Sequence, residues 1–68
     1  MTPYEICSRR KALGISVGEL AFEVRMPIRQ VYEIENGKRE IANEEPFLKA
    51  FERLEHGYVV LNQKSADS

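Results

Sequence analysis

The sequence has few of the groups that catalytic, metal-binding or secreted proteins use. It contains one cysteine, Cys7, and one histidine, so an internal disulfide and a zinc site are both excluded. It has no glycine-rich phosphate loop, no signal peptide at its start, and no apolar run near the roughly 20 residues of a membrane span. We therefore expect a cytoplasmic protein in a reducing environment, with no enzymatic activity, no cofactor and no membrane contact.

What remains is the composition of one small globular domain. The chain has 68 residues, of which 43% are hydrophobic and 31% charged. A core of this size rarely supplies more than about 3–5 kcal/mol of stability, so self-association would help the fold. Ten basic residues stand against eleven acidic ones, which is not the strongly basic balance typical of nucleic-acid binders. A DNA-binding hypothesis must therefore rest on where the basic residues lie, and seven of them fall within 1–40.

Capping and stop signals predict four helices. Thr2 and Ser16 each precede a glutamate by three residues, which is the capping-box spacing at a helix start. Pro27 ends the second helix and begins the third, and Gly37 and Gly57 are expected to end the third and fourth. The predicted helices span about 3–13, 17–24, 28–35 and 44–55.

Apolar residues at helical spacing mark the expected core. The stripes comprise Val17, Leu20, Ala21 and Val24 in the second helix, Val31 and Ile34 in the third, and Phe47, Leu48, Phe51 and Leu54 in the fourth. Phe22 lies off its stripe. It is either a lone exposed aromatic, which is common on protein surfaces, or a contact for a partner.

The segment after Gly57 is expected to lie outside the domain of residues 1–57. Its first four residues are apolar and mostly typical of strands: Tyr58, Val59, Val60 and Leu61. This short C-terminal segment, a candidate strand, is expected either to pack back on the domain or to form a dimer interface. The polar residues 62–68 are expected to be disordered.

The helix pair carries a more specific pattern. It consists of Arg10-Lys-Ala-Leu-Gly-Ile-Ser16, then Glu19-Leu20-Ala21, then Val31 and Ile34-Glu35-Asn36-Gly37-Lys38. This pattern resembles the lambda-repressor/Cro-like (XRE-type) helix-turn-helix family. The spacings match without a gap, and the resemblance covers about residues 3–55. The sequence departs from the family at Val17, where Gln is common, at Arg25, where Gly is usual, and at Pro27, where Ser or Thr usually caps the third helix.

The resemblance implies an all-α bundle of four to five helices that binds double-stranded DNA as a transcription regulator. It implies a homodimer on an inverted repeat, most simply a repressor of the phage, antitoxin, restriction-controller or anti-defence type, with its own operon as one candidate target. Arg10 and Glu35 match the family's buried ion pair between the first and third helices.

In a helix-turn-helix the second helix of the pair enters the major groove, which makes residues near its start the candidate base readers. These candidates are Ile28, Arg29, Gln30, Tyr32 and Glu33. Candidate phosphate-binding residues flank that helix in the sequence. They are Arg9, Ser16, Arg25, Asn36, Lys38 and Arg39.

Each of these interpretations has an alternative. Arg29 and Glu33 are four residues apart, so they can instead form a surface ion pair. Lys38 and Arg39 can be ordinary charges of a solvated loop. The whole domain can be a protein–protein interaction module, such as an antitoxin-like inhibitor or adaptor with weak or no DNA binding, which the acidic balance, Val17 and Phe22 favour.

Overall fold

The computed structural model describes residues 1–67, with side chains described as far as residue 57. This part of the chain forms four helices and no strand: α1 (Pro3–Ala12), α2 (Val17–Val24), α3 (Ile28–Glu35) and α4 (Glu45–Asp67). The predicted bounds of the first three helices are confirmed to within one residue. The all-α fold class is confirmed as well.

Reciprocal hydrogen bonds begin α1 and α2. The Thr2 hydroxyl accepts from the Glu5 amide at 3.1 Å, and the Glu5 carboxylate accepts from the Thr2 amide at 3.3 Å. Ser16 and Glu19 repeat the arrangement at 3.1 and 3.0 Å. Both predicted capping boxes are therefore present, and each satisfies backbone donors that the first helical turn leaves unpaired.

The fourth helix is longer than predicted. The Asn43 side chain accepts from the Glu45 amide at 3.1 Å at the start of α4, but the helix runs through Gly57 to Asp67. The expected strand at 58–61 is therefore wrong, and α4 also takes in residues 62–67 of the segment expected to be disordered. Ser68 and the side chains of 58–67 lie outside the described residues.

The backbone of the glycines explains this difference. Gly14 and Gly37 adopt left-handed φ values of 70° and 73° just after α1 and α3, and at Gly37 this is the backbone that the predicted helix stop requires. Gly57 keeps a helical backbone instead. A glycine inside a helix costs only about 1 kcal/mol relative to alanine, and no proline follows to end the helix.

All four helices contribute to one hydrophobic core. Its buried members are Ile6, Ile15, Leu20, Ala21, Val24, Val31, Ile34, Phe47, Ala50 and Phe51. The predicted stripe of α4 is wrong at one position, because Leu48 is 38% exposed while Ala50 is buried. Phe47, Ala50, Phe51 and the partly buried Leu54 thus form the face of α4 that packs on the domain.

The packing leaves one side of α3 open. Helix α3 packs on α1 and α2, and α4 packs on the same two helices from another side. Along the described part of the chain, no helix combines the length and the hydrophobicity that a membrane span requires.

Candidate nucleic-acid interface

The turn between α2 and α3 is held by an unusual backbone conformation at Arg25. This residue caps the C-terminus of α2 in the left-handed region, at φ 60° and ψ 45°, and its amide donates to the carbonyls of Ala21 and Phe22. The Met26 amide also donates to the Ala21 carbonyl, at 3.0 Å. Arg25 thus adopts the conformation that favours glycine, at a cost of about 1 kcal/mol, and the turn stays tight.

The start of α3 follows directly from this turn. Pro27 precedes the helix at φ −59° and ψ 142° and provides no side-chain capping bond. Proline fixes a φ angle compatible with a helix start, but it has no hydroxyl to accept a hydrogen bond from the amides of the first turn. The three-residue break between α2 and α3 therefore includes one strained residue, Arg25, and one rigid residue, Pro27.

Helix α3 has a buried face and an open face. Val31 and Ile34 are buried in the core. On the opposite side Arg29 is exposed, and Ile28 and Tyr32 expose 58% and 57% of their surface. An arginine beside two large exposed side chains offers both a bidentate hydrogen-bond donor and apolar contact area, which are the two kinds of group that read base edges.

The other two candidate readers lie at the sides of α3. Gln30 is half-buried, and its amide nitrogen is 3.7 Å from the sulfur of Met26. Glu33 is also half-buried, and its carboxylate accepts from Arg39 Nε at 3.1 Å. The ion-pair partner of Glu33 is therefore Arg39 in the following loop, and among the described salt bridges none links Glu33 to Arg29.

The first turns of α2 and α3 lie side by side. A Cβ atom added to Gly18 in α2 would come within 3.2 Å of Ile28 Cδ1 and within 3.8 Å of Ser16 Oγ. Glycine at this position lets the Ile28 side chain rest close to the α2 backbone. The hydroxyl of Ser16 and the first residue of α3 consequently share one edge of the molecule.

A pair of charged side chains fixes α3 against α1. Arg10 donates to both oxygens of Glu35, from Nε at 2.8 Å and from Nη2 at 3.0 Å. Its third nitrogen, Nη1, donates to the Ile15 carbonyl at 2.9 Å. The side chains are only 12% and 6% exposed, and the hydrogen bond that Arg10 donates to Glu35 raises the pKa of Arg10 above its already high ordinary value. An arginine guanidinium stays charged in proteins, so the partner that Glu35 needs is always present.

The candidate phosphate-binding residues occupy two regions. Ser16 lies at the N-terminus of α2, and Arg25 is exposed in the turn. Asn36, Lys38 and Arg39 follow α3, where all three are exposed. The Asn36 side chain donates to the Tyr32 carbonyl at 2.7 Å and so closes the end of α3.

Arg9 lies elsewhere. Its guanidinium pairs with Glu55 of α4 at 2.8 Å and stacks 4.7 Å from the ring centre of Phe51. The structure thus engages Arg9 with α4, whereas the neighbouring Arg10 contacts α3. Its assignment as a phosphate-binding residue stays a prediction.

Two contributors to this geometry escaped the sequence analysis. A glycine in the interior of a predicted helix often marks a close approach, and Gly18 carried that signal. Arg53 of α4 donates to the Glu23 carbonyl at 3.0 Å and pairs with its carboxylate at 3.5 Å, which ties α4 to α2. Nothing in the local sequence pattern indicates that long-range pair.

Two short helices joined by a tight turn, with the second helix open on its outer side, define a helix-turn-helix domain. The family model described as Helix-turn-helix matches residues 8–45, which is more than half of the chain. The chain belongs to this family, in its XRE-type, lambda repressor/Cro-like form, whose domains bind DNA in transcription regulators. Neither the curated proteins nor the solved structures include a significant match to the chain.

Proposed function

We propose that the protein is a small repressor that recognises an operator by inserting α3 into the major groove of DNA. The observation that carries the proposal is the open face of α3, with Arg29 exposed beside Ile28 and Tyr32. The Arg10–Glu35 pair supports it, because a rigidly held helix loses little conformational entropy when it binds. Such a protein acts in the cytoplasm, and bound to a promoter it blocks transcription by occupying the site.

The reading face divides into specific roles. Arg29 donates to the O6 and N7 acceptors of a guanine, the commonest specific contact in the major groove. Ile28 packs on a thymine methyl group. Glu33 accepts a hydrogen bond from a cytosine amine once its hydrogen bond with Arg39 has broken. Gln30 and Tyr32 contact either base edges or phosphates.

Contacts to phosphate hold the helix in register on the duplex but carry no sequence information. Ser16 is the candidate at the front, because its hydroxyl lies beside the first turn of α3. The candidates after α3 and in the turn are Arg25, Asn36, Lys38 and Arg39, and Arg9 remains a candidate for the flank.

We infer that the protein acts as a homodimer on an inverted repeat, with half-sites about 34 Å apart. A core of this size gains from self-association. The proposed interface is the apolar segment Tyr58, Val59, Val60 and Leu61, which is part of helix α4. Autoregulation of the protein's own operon would follow if the operator overlaps its promoter.

Selection of bound sequences from a random DNA pool tests operator and symmetry together. We expect an inverted repeat with a guanine in each half-site. A single asymmetric site would contradict the dimer, and absence of enrichment would contradict sequence-specific reading. Sedimentation velocity of the chain truncated after Gly57 tests the interface, since a folded chain that dimerises with unchanged affinity excludes it.

The alternative is a protein–protein interaction module on the same fold. The Glu33–Arg39 pair favours this alternative. In that pair a candidate base reader and a candidate phosphate ligand bind each other, so neither is free to contact DNA. Gel shifts on mixed-sequence DNA at low salt discriminate between the two functions. A DNA-binding domain retains non-specific affinity there, whereas an adaptor does not.

A further inference from the structure

Phe22 is the most exposed of the large hydrophobic side chains that the structure describes. It exposes 82% of its surface on α2. A single exposed aromatic needs no explanation, but Phe22 stands at the edge of an open groove of about 590 Å³ between α2 and the start of α4. The ring is therefore positioned beside a concave surface rather than on a convex one.

The lining of this groove combines an apolar strip with a cluster of cations. Phe22, Val24 and Pro46 supply the apolar strip, and Arg25, Lys49 and Arg53 supply the cations. Glu23 is the one carboxylate among the lining residues. The groove therefore carries a positive charge on a chain whose net charge is −1.

Contacts within the groove hold its walls in place. Arg53 donates to the Glu23 carbonyl at 3.0 Å and lies 3.5 Å from the Glu23 carboxylate, so the carboxylate is already engaged. Lys49 is exposed one turn before Arg53 on α4. The Arg53 contacts thus join α4 to α2 across the groove, and Lys49 and Arg25 present positive charge to solvent.

We propose that the Phe22 groove is a docking site for an acidic segment of another protein. An apolar side chain of that segment packs on Phe22 and Pro46, and its carboxylates pair with Lys49 and Arg25. Charge complementarity is the argument for this occupant. Arg53 pairs with Glu23, and the two further cations, Lys49 and Arg25, favour an acidic amphipathic segment beside the aromatic ring over a basic one.

A second polypeptide fits the groove better than DNA does. None of the lining residues comes from α3. The groove also includes an exposed aromatic ring, which packs on apolar side chains of a protein and has no such partner in a row of phosphates. The docking site thus lies apart from α3. The one residue that it shares with the proposed DNA interface is Arg25, for whose guanidinium a carboxylate and a phosphate would compete.

The test uses a defined peptide probe and the full chain. The probe is a fluorescein-labelled 18-residue helical peptide with leucine on one face and glutamate on the others. Two control peptides replace every glutamate by lysine or scramble the leucine positions. Fluorescence anisotropy measures binding, and backbone amide shifts of the isotope-labelled protein locate it.

We expect the acidic peptide to bind more tightly than either control peptide, with shifts on α2 and the start of α4. Phe22→Ala and Lys49→Glu should each weaken that binding about tenfold, as truncation of a central aromatic or reversal of a central charge does at interfaces. The matched variants Tyr4→Ala and Lys11→Glu change an exposed aromatic and an exposed cation on α1, and both should bind as wild type does.

Three results would overturn the proposal. The first is equal binding of the acidic and basic peptides. The second is a loss of DNA affinity in Phe22→Ala as large as its loss of peptide affinity, which would make the groove part of the DNA interface. The third is self-association that Phe22→Ala abolishes, which would make a second copy of this chain the occupant.

Discussion

Arg10 and Glu35 join α1 to the end of α3 through two hydrogen bonds, 2.8 and 3.0 Å long, and the third nitrogen of Arg10 anchors the Ile15 carbonyl. One guanidinium therefore fixes α3 and the entry to α2 at once. An ion pair with this burial stabilises the fold no more than a pair of apolar side chains would. Loss of one partner, however, leaves the other charge unpaired and nearly buried, which lowers the stability strongly.

Glu35→Gln should lower the free energy of unfolding by about 3 kcal/mol, the lower end for a buried pair because neither side chain is fully enclosed. For a domain of this size that loss lowers Tm by roughly 10 °C or more. Thermal and urea unfolding measure both quantities.

The matched control is Glu55→Gln, which breaks the exposed pair with Arg9. It should change stability by less than about 0.5 kcal/mol, since solvent screens such pairs. If Glu35→Gln melts within a degree or two of wild type, the Arg10–Glu35 pair does not hold α3.

Gly57→Ala tests whether α4 is continuous. An added Cβ has open space there and Gly57 is helical, so alanine should raise helix content and stabilise the protein by up to about 1 kcal/mol. Gly37→Ala is the opposite case, because its left-handed backbone should make alanine cost about 1–2 kcal/mol. Circular dichroism and thermal melts compare the two. A Gly57→Ala variant destabilised like Gly37→Ala would mean that α4 ends at Gly57.

These two glycines also mark how far the sequence predicts the fold. Gly37 follows Asn36 at the end of a short amphipathic pattern, and this local sequence is sufficient to predict the end of α3. Gly57 is also a glycine and precedes an apolar run, yet the helix continues through it. A glycine acts as a helix stop where its backbone adopts the left-handed conformation, and the backbone of Gly57 does not. Residue type alone does not carry that backbone angle.

The site was predictable where the motif is local and unpredictable where it depends on partners distant in sequence. The open face of α3 follows from the spacing of Val31 and Ile34. The pairing of Glu33 with Arg39, and of Arg9 with Glu55, depends on how the loop and α4 return to the helices. A long charged side chain can reach more than one oppositely charged neighbour, so the spacing of charges along the sequence does not predict which partner it binds.

Arg25→Gly should stabilise the protein by about 0.5–1 kcal/mol, because glycine adopts the left-handed backbone of Arg25 without strain. Arg25→Ala removes the same guanidinium but keeps the strain, so it should not stabilise. If the guanidinium binds phosphate, both variants should lose DNA affinity equally. Unfolding curves and gel shifts on the same two proteins separate these effects, and a stabilised Arg25→Ala would contradict the strain argument.

Gly18→Ala probes the contact between α2 and the first residue of α3. Alanine favours the helix by up to about 1 kcal/mol, but its Cβ would meet Ile28 Cδ1 at 3.2 Å. Since Ile28 is 58% exposed, its side chain can move aside, and we expect a stability equal to or slightly above wild type. The displaced Ile28 should alter operator preference at its own base pair. Unchanged preference in a binding-site selection would exclude Ile28 as a reader.

Arg29 and Lys38 should differ in the kind of DNA interaction that each provides. Arg29 lies at the second position of α3 and, among the described salt bridges, has no carboxylate partner, so Arg29→Ala leaves the Glu33–Arg39 pair intact. We expect Arg29→Ala to weaken operator binding by about 1–3 kcal/mol and to relax preference at one base pair per half-site. Lys38→Ala should instead weaken all DNA about equally and reduce the salt dependence by roughly one unit for each phosphate that is no longer neutralised.

Lys38 is a cleaner probe of phosphate binding than Arg39, because removal of Arg39 would also release Glu33 at the reading face. Gel shifts on operator and scrambled DNA at several salt concentrations measure both the specificity ratio and the salt slope for each variant. Arg29→Ala should lower the ratio at a nearly constant slope, and Lys38→Ala should lower the slope at a nearly constant ratio. Equal weakening on both DNAs for Arg29→Ala would make Arg29 a phosphate ligand and leave the reading to Ile28, Gln30, Tyr32 and Glu33.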